Sequence, residues 1–225
     1  MNILMLSIAL LFGFGVQTGF AFDQETLDFV KKNKRLPKMS EVGKQGDTLS
    51  TDLTGAYLKF ADLIKADLIR ADLTGADFTG AKLTEANLTG AKLTGATLKS
   101  VRANNANFTD ANLTETNLGH VLQPSGQHIS TSSFENANFT RADLTGTSLE
   151  AAKLSGSDFT GAKLQKAKLQ GANLTGATLT EANLDHANLA GATLTNAKQN
   201  NIPITKKWLK DKGALNIDTV IGLPG

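Results

Sequence analysis

Leucine or phenylalanine recurs at every fifth position through most of this chain of 225 residues. Residues 71–90 read ADLTGADFTGAKLTEANLTG, and the same pattern continues on both sides. Between residues 53 and 118, 13 of 14 such centre positions are Leu or Phe, with Ala103 as the exception. Between residues 134 and 194, all 13 are Leu or Phe. Because internal repetition limits the available architectures so strongly, the fold is first inferred from this period.

A period of five excludes the two commonest regular structures. In an α-helix, five residues correspond to a rotation of about 140°, so the leucines would form no stripe. In a flat strand, an odd step sends successive side chains to opposite faces. The period predicts a chain that turns once per repeat, with the centre residue and the small residue two before it pointing inward and the other three positions facing water. Val101 and Ala103 exchange the large and small positions, which conserves interior volume.

The repeated pattern A-[D/N]-[L/F]-x-x resembles that of the pentapeptide-repeat family, over residues 51–197. The resemblance implies an all-β fold, a right-handed quadrilateral β-helix with four pentapeptides in each square coil. At twenty residues per coil, the repeat region would form about seven coils, in a rod roughly 35 Å long at the usual strand spacing. Burial of 26 Leu and Phe side chains would stabilise one domain without disulfides or a metal.

The composition narrows the function classes. The chain contains no cysteine, which excludes thiol catalysis, cysteine-based zinc sites and disulfides. Residues 51–198 carry 14 acidic and 13 basic side chains, so the repeat region is nearly neutral. In a square coil, the acidic run would lie on four different faces and form a ring, and we expect Asp62 to stack favourably on Lys82. The acidic run consists of Asp62, Asp67, Asp72 and Asp77.

Residues 1–21, MNILMLSIALLFGFGVQTGFA, have the character of a secretory signal peptide. Residues 3–16 are apolar, and Gly19 and Ala21 occupy the −3 and −1 positions of a cleavage site. The segment predicts export to a periplasm, to the exterior, or to a thylakoid lumen in a cyanobacterium, with no membrane span after cleavage. Because no Lys or Arg lies near Met1, an uncleaved membrane anchor is the main alternative.

Short helical segments are predicted at both ends of the repeat. Within residues 22–50, a helix over residues 22–35 precedes a polar linker. Residues 198–225 predict a cap that begins with a helix after Thr205, because a solenoid needs its open end covered. The resemblance also implies an alternative, a homodimer through the C-terminal ends. The apolar residues available for either role are Trp208 and Leu209.

Residues 119–131 interrupt the repeat. Phe134 follows Leu118 by 16 residues, so the insertion has one, six or eleven residues. Ile129 is in phase with the second run, which favours six. Because solenoids commonly carry recognition in such loops, this segment is the candidate interaction loop, and a surface bulge without function is the alternative. The loop candidates are His120, Val121, Leu122, Gln123, Pro124, Ser125 and His128.

The residues that could carry chemistry form no recognisable site. His120 and His128 are eight residues apart, no carboxylate stands at a suitable spacing beside them, and zinc usually takes three or four protein ligands. The many aspartates are generated by the repeat, and Ser125 has no G-x-S-x-G context. We therefore expect a protein that is not an enzyme, with no catalytic residues, no cofactor or metal, and no small-molecule substrate.

These observations predict a non-enzymatic, exported scaffold or protein-interaction module whose protein partner the sequence does not identify. The resemblance implies one alternative, a DNA-mimicking protein that interacts with gyrase. Mimicry of duplex DNA requires a strongly negative rod, and this repeat is nearly neutral. The signal peptide also disfavours this alternative, because it would direct the protein away from gyrase in the cytoplasm. Direct binding of nucleic acid is disfavoured too, because no basic patch interleaved with aromatic residues is present.

Overall fold

The computed structural model describes residues 53–119, 121–122 and 128–224. The predicted signal peptide and N-terminal helix lie outside these residues. The described repeat winds as an all-β solenoid whose successive coils are joined by parallel β-bridges. Four ladders of bridges give the coil four sides, and they begin at Tyr57, Asp62, Asp67 and Asp72. The first ladder continues through Asp77, Thr97, Asn117, Ser148, Lys168 and Asn188.

Backbone hydrogen bonds run between coils rather than along extended strands. The N–H of Leu83 donates to the carbonyl of Arg102 in the next coil at 2.7 Å, and the N–H of Lys82 donates to Ala61 in the previous coil at 2.9 Å. The same pattern recurs on each side of the coil. Polar backbone groups around the interior are thereby paired, as burial requires.

A tight turn forms each corner of the coil. The N–H of the inward alanine donates to the carbonyl of the preceding centre residue, as between Ala86 and Leu83 at 2.9 Å. The third residue of the turn has a positive φ in every described repeat, as a type II turn requires. Glycine at that position, for example Gly171 at φ 65°, adopts this angle without cost, whereas Ala151 at φ 55° does not.

The core consists of the centre residues and the small residues two positions before them, as the period predicts. Val101 and Ala103 are both fully buried, so the exchange of large and small residues is accommodated. The rings of Phe108, Phe139 and Phe159 stack on one another, with both neighbouring pairs of centroids 5.0 Å apart. This column of rings crosses the level at which the repeat is interrupted and packs the coils on either side together.

The interruption contains eleven extra residues. Arg102 bridges Ser133 and Asn117 bridges Ser148, a separation of 31 residues where neighbouring rungs are separated by 20. The interpretation that favoured six residues is wrong, because Ile129 does not continue the coil. It lies in strand β2 (His128–Ser130), which pairs in an antiparallel hairpin with β1 (Val121–Leu122).

Beyond the last coil, the chain forms a compact terminal structure. Strands β3 (Lys198–Gln199) and β4 (Ile202–Pro203) form a second antiparallel hairpin. Helix α1 (Lys206–Asp211) follows, and a 3₁₀ helix covers Ile217–Thr219. Thr205 caps α1, since its hydroxyl accepts a hydrogen bond from the N–H of Trp208 at 3.1 Å.

This terminal structure closes the end of the solenoid. Leu209 of α1 is fully buried, and Ile204 is buried with it against the last coil. Leu215 and Ile221 bridge Asn188 and Thr193, which adds two further rungs to the ladders. Leu209 therefore packs as a cap residue and has no exposed surface for a second chain.

A charge inside the coil should abolish folding. Leu83 has no exposed surface, so Leu83→Asp would bury an unpaired carboxylate and cost more than about 4 kcal/mol of the free energy of unfolding. Circular dichroism and urea denaturation measure this loss. The matched control is Arg102→Asp on the exposed side next to Lys82, which should change stability by less than about 0.5 kcal/mol. A folded Leu83→Asp variant with unchanged melting would contradict the packing.

The corner conformation predicts stability changes of opposite sign at two stacked turns. Ala151→Gly should stabilise the protein by about 1 kcal/mol, because glycine adopts a positive φ without steric cost. Gly171→Ala should destabilise it by about as much, although no atom lies within 4 Å of the added methyl group. Urea denaturation of both variants tests this, and equal signs would be inconsistent with the turn geometry.

Candidate interaction surface

The polar residue before each centre position is held by the coil itself. Asn107 Oδ1 accepts hydrogen bonds from the N–H of Thr109 at 3.0 Å and from its hydroxyl at 2.6 Å. Asn107 Nδ2 donates to the hydroxyl of Thr89 in the previous coil at 3.0 Å. Asp72 receives the same two bonds from Thr74. The spacing D/N-x-T in the sequence was the available signal for this motif, and the prediction that these side chains merely face water missed it.

Six lysine and arginine side chains of the rod form ion pairs with carboxylates of a neighbouring coil. Lys82 Nζ lies 3.1 Å from Asp62 Oδ2, which confirms the predicted favourable stacking of these two residues. The four aspartates of the acidic run stand on four different ladders, so the predicted ring is also confirmed. Five further pairs join neighbouring coils: Lys92 with Asp72, Lys163 with Asp143, Arg141 with Asp110, Lys59 with Asp77, and Lys65 with Glu85.

Contacts with the coil lower the pKa of Asp72 and the pKa of Asp143. The hydroxyl of Thr74 lowers the pKa of Asp72, and Lys92 lowers it further against the opposing effect of partial burial. At Asp143, partial burial is the largest influence and would raise the pKa, but hydrogen bonds from Thr145 and Lys163 outweigh it and the pKa is lowered. A carboxyl group suited to donate a proton near neutral pH requires the opposite shift.

The candidate loop forms part of the hairpin at the interruption. Val121 pairs with Ser130, and Leu122 pairs with His128, so the backbone brings these candidate residues to the two sides of one narrow hairpin. A register irregularity separates the two pairs. The other four loop candidates, His120, Gln123, Pro124 and Ser125, lie outside the described residues.

Small polar residues fasten the base of the hairpin to the coil. Ser132 occupies an inward alanine position, and its hydroxyl shares its one proton between the carbonyls of Leu98 at 3.0 Å and Gly119 at 2.8 Å. Asn104 Oδ1 accepts from the hydroxyl of Ser133 at 2.6 Å and from the N–H of Glu135 at 3.1 Å. Both ends of the insertion are therefore anchored.

Three other inward positions near the interruption carry hydroxyl groups in place of alanine. Each donates to a backbone carbonyl of an earlier coil at 2.7 or 2.8 Å. Serine or threonine in place of the repeat alanine is the sequence signal for these buried hydrogen bonds, which the expectation of a small apolar residue missed. The three residues are Thr116, Thr147 and Ser157.

The exposed large apolar side chains of the described residues lie at the two ends of the rod. Tyr57, Phe60, Ile64 and Ile69 belong to the first coil. Ile202, Leu215 and Ile221 belong to the C-terminal structure. Trp208 is partly buried against the core, and the ammonium of Lys212 lies 5.6 Å from the centre of its ring. The polar middle of the rod is thus bounded by two apolar ends.

Within residues 53–119, 121–122 and 128–224, no cluster of three or more His, Cys, Asp or Glu side chains could hold a metal ion. Within the same ranges, no helix is long and apolar enough to cross a membrane.

Acid should destabilise the fold because the paired aspartates have lowered pKa values. Such groups stabilise the folded state above their unfolded pKa near 3.8, and this contribution is lost as the pH falls through the folded value. We expect the melting temperature to be level from neutral pH to about pH 5 and to fall below about pH 4. The double variant Asp72→Asn and Asp143→Asn keeps the hydrogen-bond acceptors without the titration, so its decline should be shallower. An equally steep decline would refute the assignment.

Comparison with known proteins agrees with the repeat geometry. A family model for pentapeptide repeats matches in eight copies, over residues 51–90, 91–121, 130–161 and 157–196. No curated protein matches the sequence.

Several solved structures of repeat proteins are similar to the chain. HetL, a pentapeptide-repeat protein involved in heterocyst differentiation regulation from the cyanobacterium Nostoc sp. strain PCC 7120, is 30% identical with a TM-score of 0.35, over 76% of this chain and 82% of HetL. QnrB1, a plasmid-mediated fluoroquinolone resistance protein, is 21% identical with a TM-score of 0.43, over 72% and 78% of the two chains. A pentapeptide-repeat protein from the Arabidopsis thaliana thylakoid lumen is 25% identical with a TM-score of 0.25, over 66% and 86%.

At these TM-scores, the structural likeness carries no argument about function. The family model, however, covers more than half of the 225 residues. The identity to HetL extends over three quarters of this chain and most of HetL. With its four-sided coils and inward leucine and alanine positions, the chain belongs to the pentapeptide-repeat family.

Proposed function

We propose that this protein is a non-enzymatic, exported scaffold that binds a protein partner through the hairpin at residues 119–131. The observation that carries the proposal is the eleven-residue insertion, which leaves the rungs before and after it in register. Coils that continue a regular pattern gain nothing in packing from such an insertion, so a role in contact with another molecule accounts for it better.

The anchoring of the hairpin supports recognition. Ser132 and Asn104 bind the base of the insertion to the neighbouring coils, and the stacked rings of Phe108 and Phe139 hold those coils together. A loop on a rigid support loses less conformational freedom on binding than a loop on a mobile one. The rod thus provides a rigid support, and the hairpin provides the surface that contacts the partner.

Family membership supports a protein partner. Pentapeptide-repeat proteins are generally non-enzymatic interaction modules. The lowered pKa values of Asp72 and Asp143 agree with this class, because the carboxyl groups serve the coil and not acid–base chemistry. The character of residues 1–21 supports export to a periplasm, to the exterior or to a thylakoid lumen.

A homodimer through the C-terminal end is a second candidate arrangement. Ile202, Leu215 and Ile221 are exposed there, and the ring of Trp208 is only partly buried. Leu209 is excluded from such a contact by its burial in the cap. DNA mimicry has no comparable support, because acidic and basic side chains pair along the rod and leave no continuous negative face.

Removal of the hairpin should abolish partner binding without loss of the fold. Deletion of residues 119–129 removes eleven residues and restores the twenty-residue register, and Thr131→Gly supplies a glycine at the new corner. We expect recovery of the crosslinked partner from the native compartment to fall at least tenfold, by mass spectrometry, while the β-rich circular dichroism spectrum is kept.

The matched control deletes one complete coil, residues 153–172, and keeps the hairpin. This variant removes more residues without changing the register, so it should retain the partner. Equal recovery of the partner by the hairpin deletion and the unmodified chain would overturn the proposal.

A further inference from the structure

The interior of the first coil is as well buried as the interior in the middle of the rod. Its centre residues Leu53, Leu58, Leu63 and Leu68 have only 1, 0, 2 and 3% of their surface exposed. A coil at the end of a solenoid has a neighbour on one side only, so its centre side chains would be open to water on the other side. Their burial indicates that further atoms lie over this end of the rod.

The part of the chain that the structure describes does not supply this cover. The four ladders begin in the first coil, and each later rung lies further along the axis in the same direction. The C-terminal structure lies at the opposite end, where Leu215 and Ile221 bridge Asn188 and Thr193. The chain that enters the first coil at Leu53 is therefore the nearest source of the cover.

The opposite end shows how a coil of this cross-section is closed. Ile204 and Leu209 are buried in the common core, and the last centre residue, Leu194, has only 2% of its surface exposed. Leu209 is supplied by the short helix α1, which begins after the cap residue Thr205. A helical segment with a few apolar side chains is thus sufficient to exclude water from the end of this rod.

The predicted helix over residues 22–35 has the pattern of such a closing segment. At 100° per residue, its four large apolar side chains, Phe22, Leu27, Phe29 and Val30, fall within an arc of about 160°. An amphipathic helix of this kind buries its apolar arc against another apolar surface. The opposite arc carries only charged and amide side chains, which are those of Gln24, Glu25, Asp28, Lys31, Lys32 and Arg35.

The linker between this helix and the first coil is long enough for the helix to reach the end of the rod. Residues 36–52 could span roughly 60 Å when extended, whereas the predicted helix is about 21 Å long. The linker contains Pro37, Gly43 and Gly46, which are typical of a chain that changes direction. The helix can therefore fold back across the coil that follows it.

We propose that the apolar arc of residues 22–35 docks across the open end of the first coil and forms an N-terminal cap of the solenoid. This contact covers the four centre leucines, and it blocks the backbone edge through which two rods could join end to end. Phe60, Ile64 and Ile69 occupy outward positions of the repeat and stay outside the contact. The hairpin leaves the rod three rungs further along, so the cap is separate from the surface that carries the proposed function.

Single cysteines in the full chain test whether this arc is buried. The chain has no cysteine of its own, so a maleimide reagent reports only on the introduced thiol. Leu27→Cys lies in the apolar arc, and Lys32→Cys in the opposite arc is the matched control. We expect position 27 to react at least tenfold more slowly than position 32 in the folded chain, and both to react at similar rates in urea. Equal rates in the folded chain would overturn the proposal.

Hydrogen exchange locates the surface that the arc covers. Leu27→Asp should release the helix, because docking would bury an unpaired carboxylate. We expect the amides of residues 56–72 to exchange at least tenfold faster than in the unmodified chain, and those of residues 173–189 at the opposite end to be unchanged. Gln24→Asp places an aspartate in the opposite arc and should leave both segments unchanged. Exchange in Leu27→Asp that rises in neither segment, or equally in both, would contradict docking at the first coil.

Two other results would assign the cover to another source. Faster reaction of Leu27→Cys after a hundredfold dilution would indicate that a second copy of the chain covers the arc. Fast exchange of residues 56–72 after removal of residues 1–21 alone would indicate that the leader covers the first coil. Either result would overturn capping by residues 22–35, whereas slow reaction at position 27 that is independent of concentration and of the leader supports it.

Discussion

The packing of one large and one small side chain in each pentapeptide is the constraint on which the rest of this structure depends. Each centre residue fills the interior of a narrow coil, and the alanine two positions earlier leaves room for its neighbours. This pairing allows four short sides to close into a coil, and coils with the same cross-section then stack through β-bridges. The exchange at Val101 and Ala103 indicates that the combined volume matters more than the order.

The polar exterior is organised by the same repeat. Asn107 binds the backbone and hydroxyl of Thr109 and also reaches Thr89 in the previous coil. Lysines and aspartates of neighbouring coils pair across single rungs, as Lys82 does with Asp62. Contact with other molecules therefore falls to the features that break the pattern, which are the hairpin and the two apolar ends. Regular surface stabilises the rod, and irregular surface is available for recognition.

The period of five predicts the inward positions, whereas the four sides and the ring of aspartates are predicted by the resemblance to the pentapeptide-repeat family. The length of the insertion could not be deduced, since Ile129 stands in phase by coincidence but lies in strand β2, which pairs with β1. The hydroxyl anchors at Ser132 and Thr147 depend on which carbonyls lie one coil away, and the pattern alone does not give those partners. The sequence shows that Phe60 stands at a position where many repeats carry glycine, which predicts its exposure. The residues that lie near Phe60 at the end of the rod could be identified only from the geometry of the coil.

The separation of 31 residues between Arg102 and Ser133 has a mechanical consequence. Because the eleven extra residues leave the ladder and return to it, the hairpin sits at a level fixed only by the number of coils before it. Gain or loss of a whole twenty-residue unit would slide the hairpin by about 4.8 Å along the axis and keep its azimuth. The height of the hairpin along the rod therefore changes in steps of one coil. Duplication or deletion of whole coils changes this height without changing the side of the rod from which the hairpin projects.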